Sequence, residues 1–176
     1  MGVFIRTTPG PDTGDGTPNK VCRVHPDPWD DLRTASFRDL DTTTLYALLK
    51  LRSDVFVVEQ ECAYAELDGR DAEPGTRHLW FSRDGEIRAY LRILDDGEVQ
   101  RIGRVVTAPG ARGAGLAGRL VDHALTVIGN RPSALDAQAR LVGFYAKFGY
   151  SQTGPEYIED GIPHVPMFRA APQPVR

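Results

Sequence analysis

Cysteine is scarce: Cys22 and Cys62 are the two in 176 residues. Two thiols cannot build a disulfide framework, and reduced thiols fit a cytosolic setting. Long hydrophobic runs are missing as well. The first apolar cluster, Val3 to Ile5, is too short for the core of an export signal, and no later stretch approaches the ~20 apolar residues of a membrane-spanning helix. Nor is there a basic surplus. The formal charge is -3, without the cationic footprint that neutralising nucleic-acid phosphates requires. Together these absences predict a cytoplasmic protein that binds neither nucleic acid nor membrane.

With 41% hydrophobic and 26% charged residues, the chain can bury one core of ordinary size. Residues 1–30 are rich in Pro, Gly, Asp and Thr and lack apolar periodicity, which predicts an irregular or flexible N-terminal segment before a single domain over 31–176. Within that domain a strand is expected over Leu32 to Leu40. Asp41 or Thr42 then caps a helix carrying Leu45, Leu48 and Leu49 on one face and continuing toward Val55 and Phe56. Strands at His78 to Ser82, Ile87 to Ile93 and Val99 to Thr107, punctuated by Asp84-Gly85 and Asp96-Gly97, predict an antiparallel meander. In the middle strand Ile87, Ala89, Leu91 and Ile93 alternate with Arg88, Tyr90 and Arg92.

A long helix follows, with Leu116, Leu120, Ala124, Val127 and Ile128 on one stripe and Gly129 as its stop. Then come a short strand from Ser133 to Ala137, a helix through Leu141, Phe144, Tyr145 and Phe148, and a closing β-ribbon through Tyr157 and His164 to Phe168. The fold class is therefore α/β, an α+β arrangement on a mixed sheet. The closing ribbon offers an edge on which a second copy could pair, which leaves a homodimer open.

The segment most informative about chemistry runs from Val105 to Gly118, from a strand end through small residues into the long helix. Without a Cβ at Gly113 and Gly115, an anion can approach several backbone N–H groups, and the helix dipole adds partial positive charge. A pyrophosphate is the natural occupant. A nucleotide-hydrolysing P-loop needs Lys-Ser or Lys-Thr after its second Gly, whereas Leu116 and Ala117 follow Gly115. Gly113, Gly115 and Gly118 do fit G-x-G-x-x-G, with Asp136 placed further on as a dinucleotide fold wants. Against that, Pro109 to Arg112 separate the strand from Gly113, and antiparallel strands precede the motif. A bare small-residue helix start with no ligand is the remaining structural alternative.

Arg112-Gly-Ala-Gly115-Leu-Ala117 also satisfies Q/R-x-x-G-x-G/A, and Phe144-Tyr145-Ala-Lys-Phe-Gly149-Tyr150 resembles a helix ending in F-Y-x-x-x-G-F. Both resemble hallmarks of the GNAT (Gcn5-related N-acetyltransferase) superfamily. Further stretches, Val55-Phe-Val-Val-Glu59-Gln60, Asp68-Gly69 and Glu159-Asp-Gly-Ile-Pro-His164 among them, are similar to its ElaA-like branch, over about residues 40–168.

The resemblance implies the GNAT acyl-CoA N-acyltransferase fold and transfer of an acetyl group from acetyl-CoA to an amine acceptor, a small molecule or a peptide. It assigns the pantetheine arm to backbone at Val105, Val106 and Thr107, the pyrophosphate to Arg112, Gly113, Ala114, Gly115, Leu116, Ala117 and Gly118, and a further cofactor contact to Gln138. No metal is implied. Tyr145 falls where the family places the acid that protonates the departing thiolate, though with Phe144 and Phe148 it also fits a plain core position. A strand-end N–H such as that of Val106 suits the oxyanion.

The base is open. The strand Arg101 to Val106 has no carboxylate, so Glu59, His78, Asp160 and His164 are the candidates, each with a structural or surface alternative. A protein without a base would instead be a catalytically silent acyl-CoA-binding or sensor module. Cys62 reads as a loop thiol rather than a nucleophile paired with His78, and Asp68-Gly-Arg-Asp71 as a turn rather than a cation loop.

Overall fold

A computed structural model of the chain describes residues 31–62 and 64–172. The irregular segment expected over 1–30, and Cys22 with it, lies outside the described residues.

The first strand is shorter than its sequence suggests. β1 covers Asp31–Ala35, after which Phe37–Asp39 forms a single 3-10 turn. There the Ser36 hydroxyl donates to the Asp39 carboxylate at 2.5 Å, a local side-chain bond that competes with extended backbone. Asp41 is the cap of α1 (Thr42–Arg52), accepting from the Thr44 N–H at 2.9 Å. Beyond α1 the helix continues as a wider π-helical stretch over Ser53–Glu59. Its inward face differs from the expected Leu45, Leu48 and Leu49. Leu48, Leu51, Arg52 and Val55 are buried, whereas Leu45 and Leu49 are half-buried.

β2 (Arg77–Arg83), β3 (Glu86–Asp96) and β4 (Val99–Thr107) form the expected antiparallel meander. α2 (Leu116–Ile128) follows, then β5 (Ser133–Gln138), a 3-10 turn leading into the short α3 (Val142–Ala146), and β6 (Ser151–Gln152), β7 (Tyr157–Glu159) and β8 (Ile162–Arg169). The eight strands make one mixed sheet in the order β1-β2-β3-β4-β5-β8-β6, with β7 paired to β8. Among the described residues, no helix is long and apolar enough to cross a membrane.

Both faces of the sheet are covered. On one, Leu116, Leu120, Val121, Ala124 and Ile128 of α2 pack on Leu79, Phe81, Ala89, Leu91 and Ile93. On the other, Leu48, Leu51 and Val55 pack on Trp80, Tyr90 and Val106. Tyr90 and Arg92, which alternate with the apolar residues of β3, are buried as well, because α1 and the segment after it lie over them.

One irregularity positions the site. β4 and β5 are the parallel neighbours, and they pair only at Gln100↔Ser133 and Arg101↔Ala134. Beyond that point β4 runs on to Thr107 and β5 to Gln138 with no ladder between them. Two unpaired strand edges face one another across the gap.

Candidate active site

A cleft of about 730 Å³ opens at this gap. It is lined by Val105, Val106 and Thr107 on the β4 side, by Gln138 and Tyr145 on the β5 side, and by Glu59, Arg112, Ala117 and His164 at its rim.

The direction of the β4 amides follows from the ladder. Ala108 N–H donates to Arg88 O at 2.9 Å, toward β3. Val106 pairs with Tyr90 in the same register, so with a period of two its N–H also turns to β3. The Val105 and Thr107 groups therefore face the cleft. Consistent with this, the Thr107 carbonyl accepts from Arg112 Nε at 3.4 Å. The Val106 N–H, expected to serve an oxyanion, is thus turned to β3 and away from the cleft.

Past Thr107, a 3-10 turn at Pro109–Ala111 leads through Gly113 (φ +81°) and Gly115 (φ +75°) into α2. Buried Ala111 and Ala114 pin this loop to the core. Gly115 is the N-cap and supplies no side-chain cap, so the first-turn amides of α2 lack partners and carry the positive end of the helix dipole. A Cβ added at Gly113 or Gly115 would meet nothing within 4 Å. The space above the loop is open, and an anion fits there. Ala114 and Leu116, whose side chains are buried, can take part through backbone alone.

Tyr145 sits at the other wall, 6% exposed and fixed by edge contacts with Phe144 and Tyr150 at centroid distances of 4.9 and 6.3 Å. Burial, helped by Tyr150, pushes its phenol well above the ordinary range. It remains a neutral O–H donor. His164 lies opposite Gln138 in the β5–β8 ladder, beside the open end of β5. Its Nδ1 is 2.9 Å from the Ile162 carbonyl, which can only accept, so the hydrogen is on Nδ1 and the Nε2 lone pair is left over.

The other expected bases are placed less favourably. Glu59 pairs with Arg112 at 2.8 Å across the rim, and that hydrogen bond holds its carboxylate below the usual range. His78 is 1% exposed and does not line the cleft. Its Nε2 donates to the Asp71 carbonyl at 3.1 Å, its Nδ1 accepts from the Tyr90 hydroxyl at 2.8 Å, and burial lowers its proton affinity. His78 is therefore removed from the catalytic candidates as a structural residue. Asp160 lines the cleft on the β7–β8 turn. Cys62 is buried with its thiol pushed up first by burial and then by Asp160, which makes it a poor nucleophile.

A buried charge network behind the cleft escaped the sequence reading. Arg52, fully buried on the apolar stripe of α1, donates to Glu66 at 2.5 Å and Asp71 at 2.8 Å. Arg92 donates to Asp68 and Asp71 at 2.6 and 3.0 Å, so the expected Asp68–Asp71 turn has its carboxylates engaged by guanidiniums. A detectable signal was Arg52 itself, a charge falling at helical spacing from Leu48 and Val55.

Comparison with known proteins places this geometry. Residues 47–170 match the model of the acetyltransferase (GNAT) domain. A UPF0039 protein of Mycobacterium tuberculosis is 50% identical over 143 residues, covering 78% of this chain and 92% of that one. Protein ElaA of Escherichia coli is 40% identical over 148 residues, 80% of this chain and 95% of that one. Among solved structures, an acyl-CoA N-acyltransferase from Pseudomonas aeruginosa aligns with a TM-score of 0.78 at 43% identity, over 80% of this chain and 99% of that one. The crystal structure of Escherichia coli ElaA aligns at 0.76 and 38% identity, with 80% and 99% coverage. The chain belongs to the GNAT superfamily of acyl-CoA-dependent acyltransferases, in its ElaA-like branch.

Proposed function

We propose that this protein transfers the acetyl group of acetyl-CoA to a primary amine by direct attack in a ternary complex. The observation that carries the proposal is the adjacency of two sets of amides. The unpaired Val105 and Thr107 edge of β4 lines the cleft, and the cleft reaches Arg112 and Ala117, which flank the uncapped glycine loop at Gly113 and Gly115. An extended pantetheine amide chain can pair with the first, and its pyrophosphate with the second.

The chemistry requires a neutral amine, yet a lysine-like amine of pKa about 10.4 is almost wholly protonated at neutral pH. The Nε2 lone pair of His164 accepts that proton, directly or through one water. The amine nitrogen then attacks the thioester carbon, and the developing oxyanion draws on a strand-edge N–H of Val105 or Thr107. Collapse breaks the carbon–sulfur bond. The thiolate, of solution pKa roughly 8.5, takes the Tyr145 proton, the nitrogen gives up its second proton to restore the Tyr145 phenol through solvent, and the first proton leaves His164 for water, so that neutral amide and coenzyme A remain. Glu59 serves at the rim as Arg112's counter-charge.

One observation favours a second reading, a silent acyl-CoA-binding module: β4 carries no carboxylate toward the cleft, and Glu59 is tied to Arg112. A single experiment separates them. Acetyl-CoA is incubated with a panel of amines and peptides, and free thiol is followed alongside calorimetric binding of coenzyme A. Binding with amine-dependent thiol release that His164→Gln suppresses supports the transferase. Binding without release supports the silent module, and no binding refutes both.

A further inference from the structure

β4 contains a residue that its partner strand does not match. Ala89 pairs with Thr107 and Tyr90 with Val106, but Arg92 pairs with Gly103, so Arg104 and Val105 together stand opposite Leu91. This is a β-bulge, and Arg104 occupies it at φ +55°, a conformation that side chains other than glycine resist. The extra residue shifts the strand's parity. Which amides beyond it turn to β3, and which turn to the cleft, is decided at Arg104.

The Arg104 side chain is held at its far end. Its Nε lies 2.9 Å from Glu66 Oε2, a charge contact without hydrogen-bond alignment, since that N–H is buried and finds no aligned acceptor. Its Nη2 reaches the Glu66 carbonyl and Asp68 at 3.4 Å each, and the guanidinium lies 5.1 Å from the Tyr64 ring centre. Glu66 is in turn fixed by buried Arg52, which bonds both its carboxylate and its carbonyl, and by the Tyr64 hydroxyl. A continuous clamp thus runs from α1 through Arg52 and Glu66 to the bulge.

We propose that Arg104 is a positioning residue, whose side chain, clamped by Glu66, keeps the β4 bulge in the register that aims the Val105 and Thr107 amides into the cleft. The functional part of this inference rests on the acyl-transfer reading above; the structural part does not. Since Glu66 belongs to the same segment as cleft-lining Cys62 and Tyr64, the clamp also ties that wall of the cleft to the Val105 and Thr107 amides.

Arg104→Gly is the discriminating variant. Glycine suits φ +55° better than arginine, so it preserves the local backbone preference while deleting the clamp. In the ligand-free full-length protein, the Val105 and Thr107 amide resonances should shift and broaden in Arg104→Gly and in Glu66→Gln. Arg104→Lys, which keeps the charge, should restore them in part. Turnover of Arg104→Gly should fall at least 10-fold, with coenzyme A affinity changed less than threefold. Unmoved Val105 and Thr107 resonances in Arg104→Gly overturn the inference whatever the protein's activity. So does wild-type turnover, or a loss of turnover matched by an equal loss of coenzyme A binding. Shifted resonances in Arg104→Gly, where the wild-type protein itself fails to bind coenzyme A, would support the clamp while refuting the transferase.

Discussion

Tyr145→Phe removes one oxygen from a buried, aromatic-locked ring, and its effect can be worked from the structure. The hydroxyl has no protein partner among the described residues, so deletion orphans no buried donor or acceptor and stability should hardly change. The ring contacts with Phe144 and Tyr150 survive the substitution. The whole effect therefore falls on the proton delivered to sulfur. General acid catalysis is worth roughly 10²–10⁴-fold, but a thiolate of pKa about 8.5 already leaves tolerably well unaided, which puts the expected loss of kcat at or just below the floor of that range, about 10- to 100-fold. Because burial raises the phenol's pKa, the wild-type acid should stay protonated through mildly alkaline pH, with no fall in rate there from Tyr145 ionising. The assay is thiol release at saturating acetyl-CoA, paired with calorimetric coenzyme A binding and a thermal melt. Unchanged turnover refutes the acid role. So does a kcat loss accompanied by an equal loss of coenzyme A affinity, which would mark Tyr145 as part of the cofactor wall.

Arg52→Met removes the buried cation that bonds both Glu66 and Asp71, leaving Arg104 as the cation on Glu66 and Arg92 as that on Asp71, a loss of about 3 kcal/mol, and should lower Tm by roughly 10 °C in a differential scan. Gly115→Ala places a Cβ at φ +75° in open space above the loop. It should cost only about 1 kcal/mol in a melt while weakening coenzyme A binding at least tenfold by calorimetry, a ratio set by blocking the anion rather than by unfolding. Acid should destabilise the protein in two steps, read as Tm against pH. His78, whose affinity for protons is lowered first by burial, contributes stability that is full above its unfolded pKa of about 6.5 and declines as pH falls below it. Asp68 and Asp71 hold depressed pKa values because Arg92 and Arg52 outweigh burial, so their share is lost only below about pH 4. His78→Gln should abolish the first step and leave the second.

Short-range signals made part of this legible and long-range ones hid the rest. The meander was readable because Asp84-Gly85 and Gly97 take the positive φ that tight hairpins demand, and α2 because its apolar stripe stops at Gly129. The glycine loop was readable for the same local reason. What the sequence conceals is everything that depends on which strands pair and where. The splay between β4 and β5 has no local signature in the sequence, since both strands continue as strand after their ladder ends and the one break in β4 falls on Arg104, a residue that gives no sign of it. His78 and His164 look alike as letters, and only full burial on β2 against a half-buried place on β8 beside the cleft separates a bound imidazole from one with a vacant nitrogen. The bulge was hidden most effectively, because its positive φ falls on Arg104 while flexible Gly103 sits next to it in the ordinary ladder. A residue that resists its own backbone conformation, with a glycine available one step away, implies that the side chain supplies what the backbone lacks. Glu66 and Arg52 are the groups that give it something to hold, and neither could be assigned to β4 before the chain was folded.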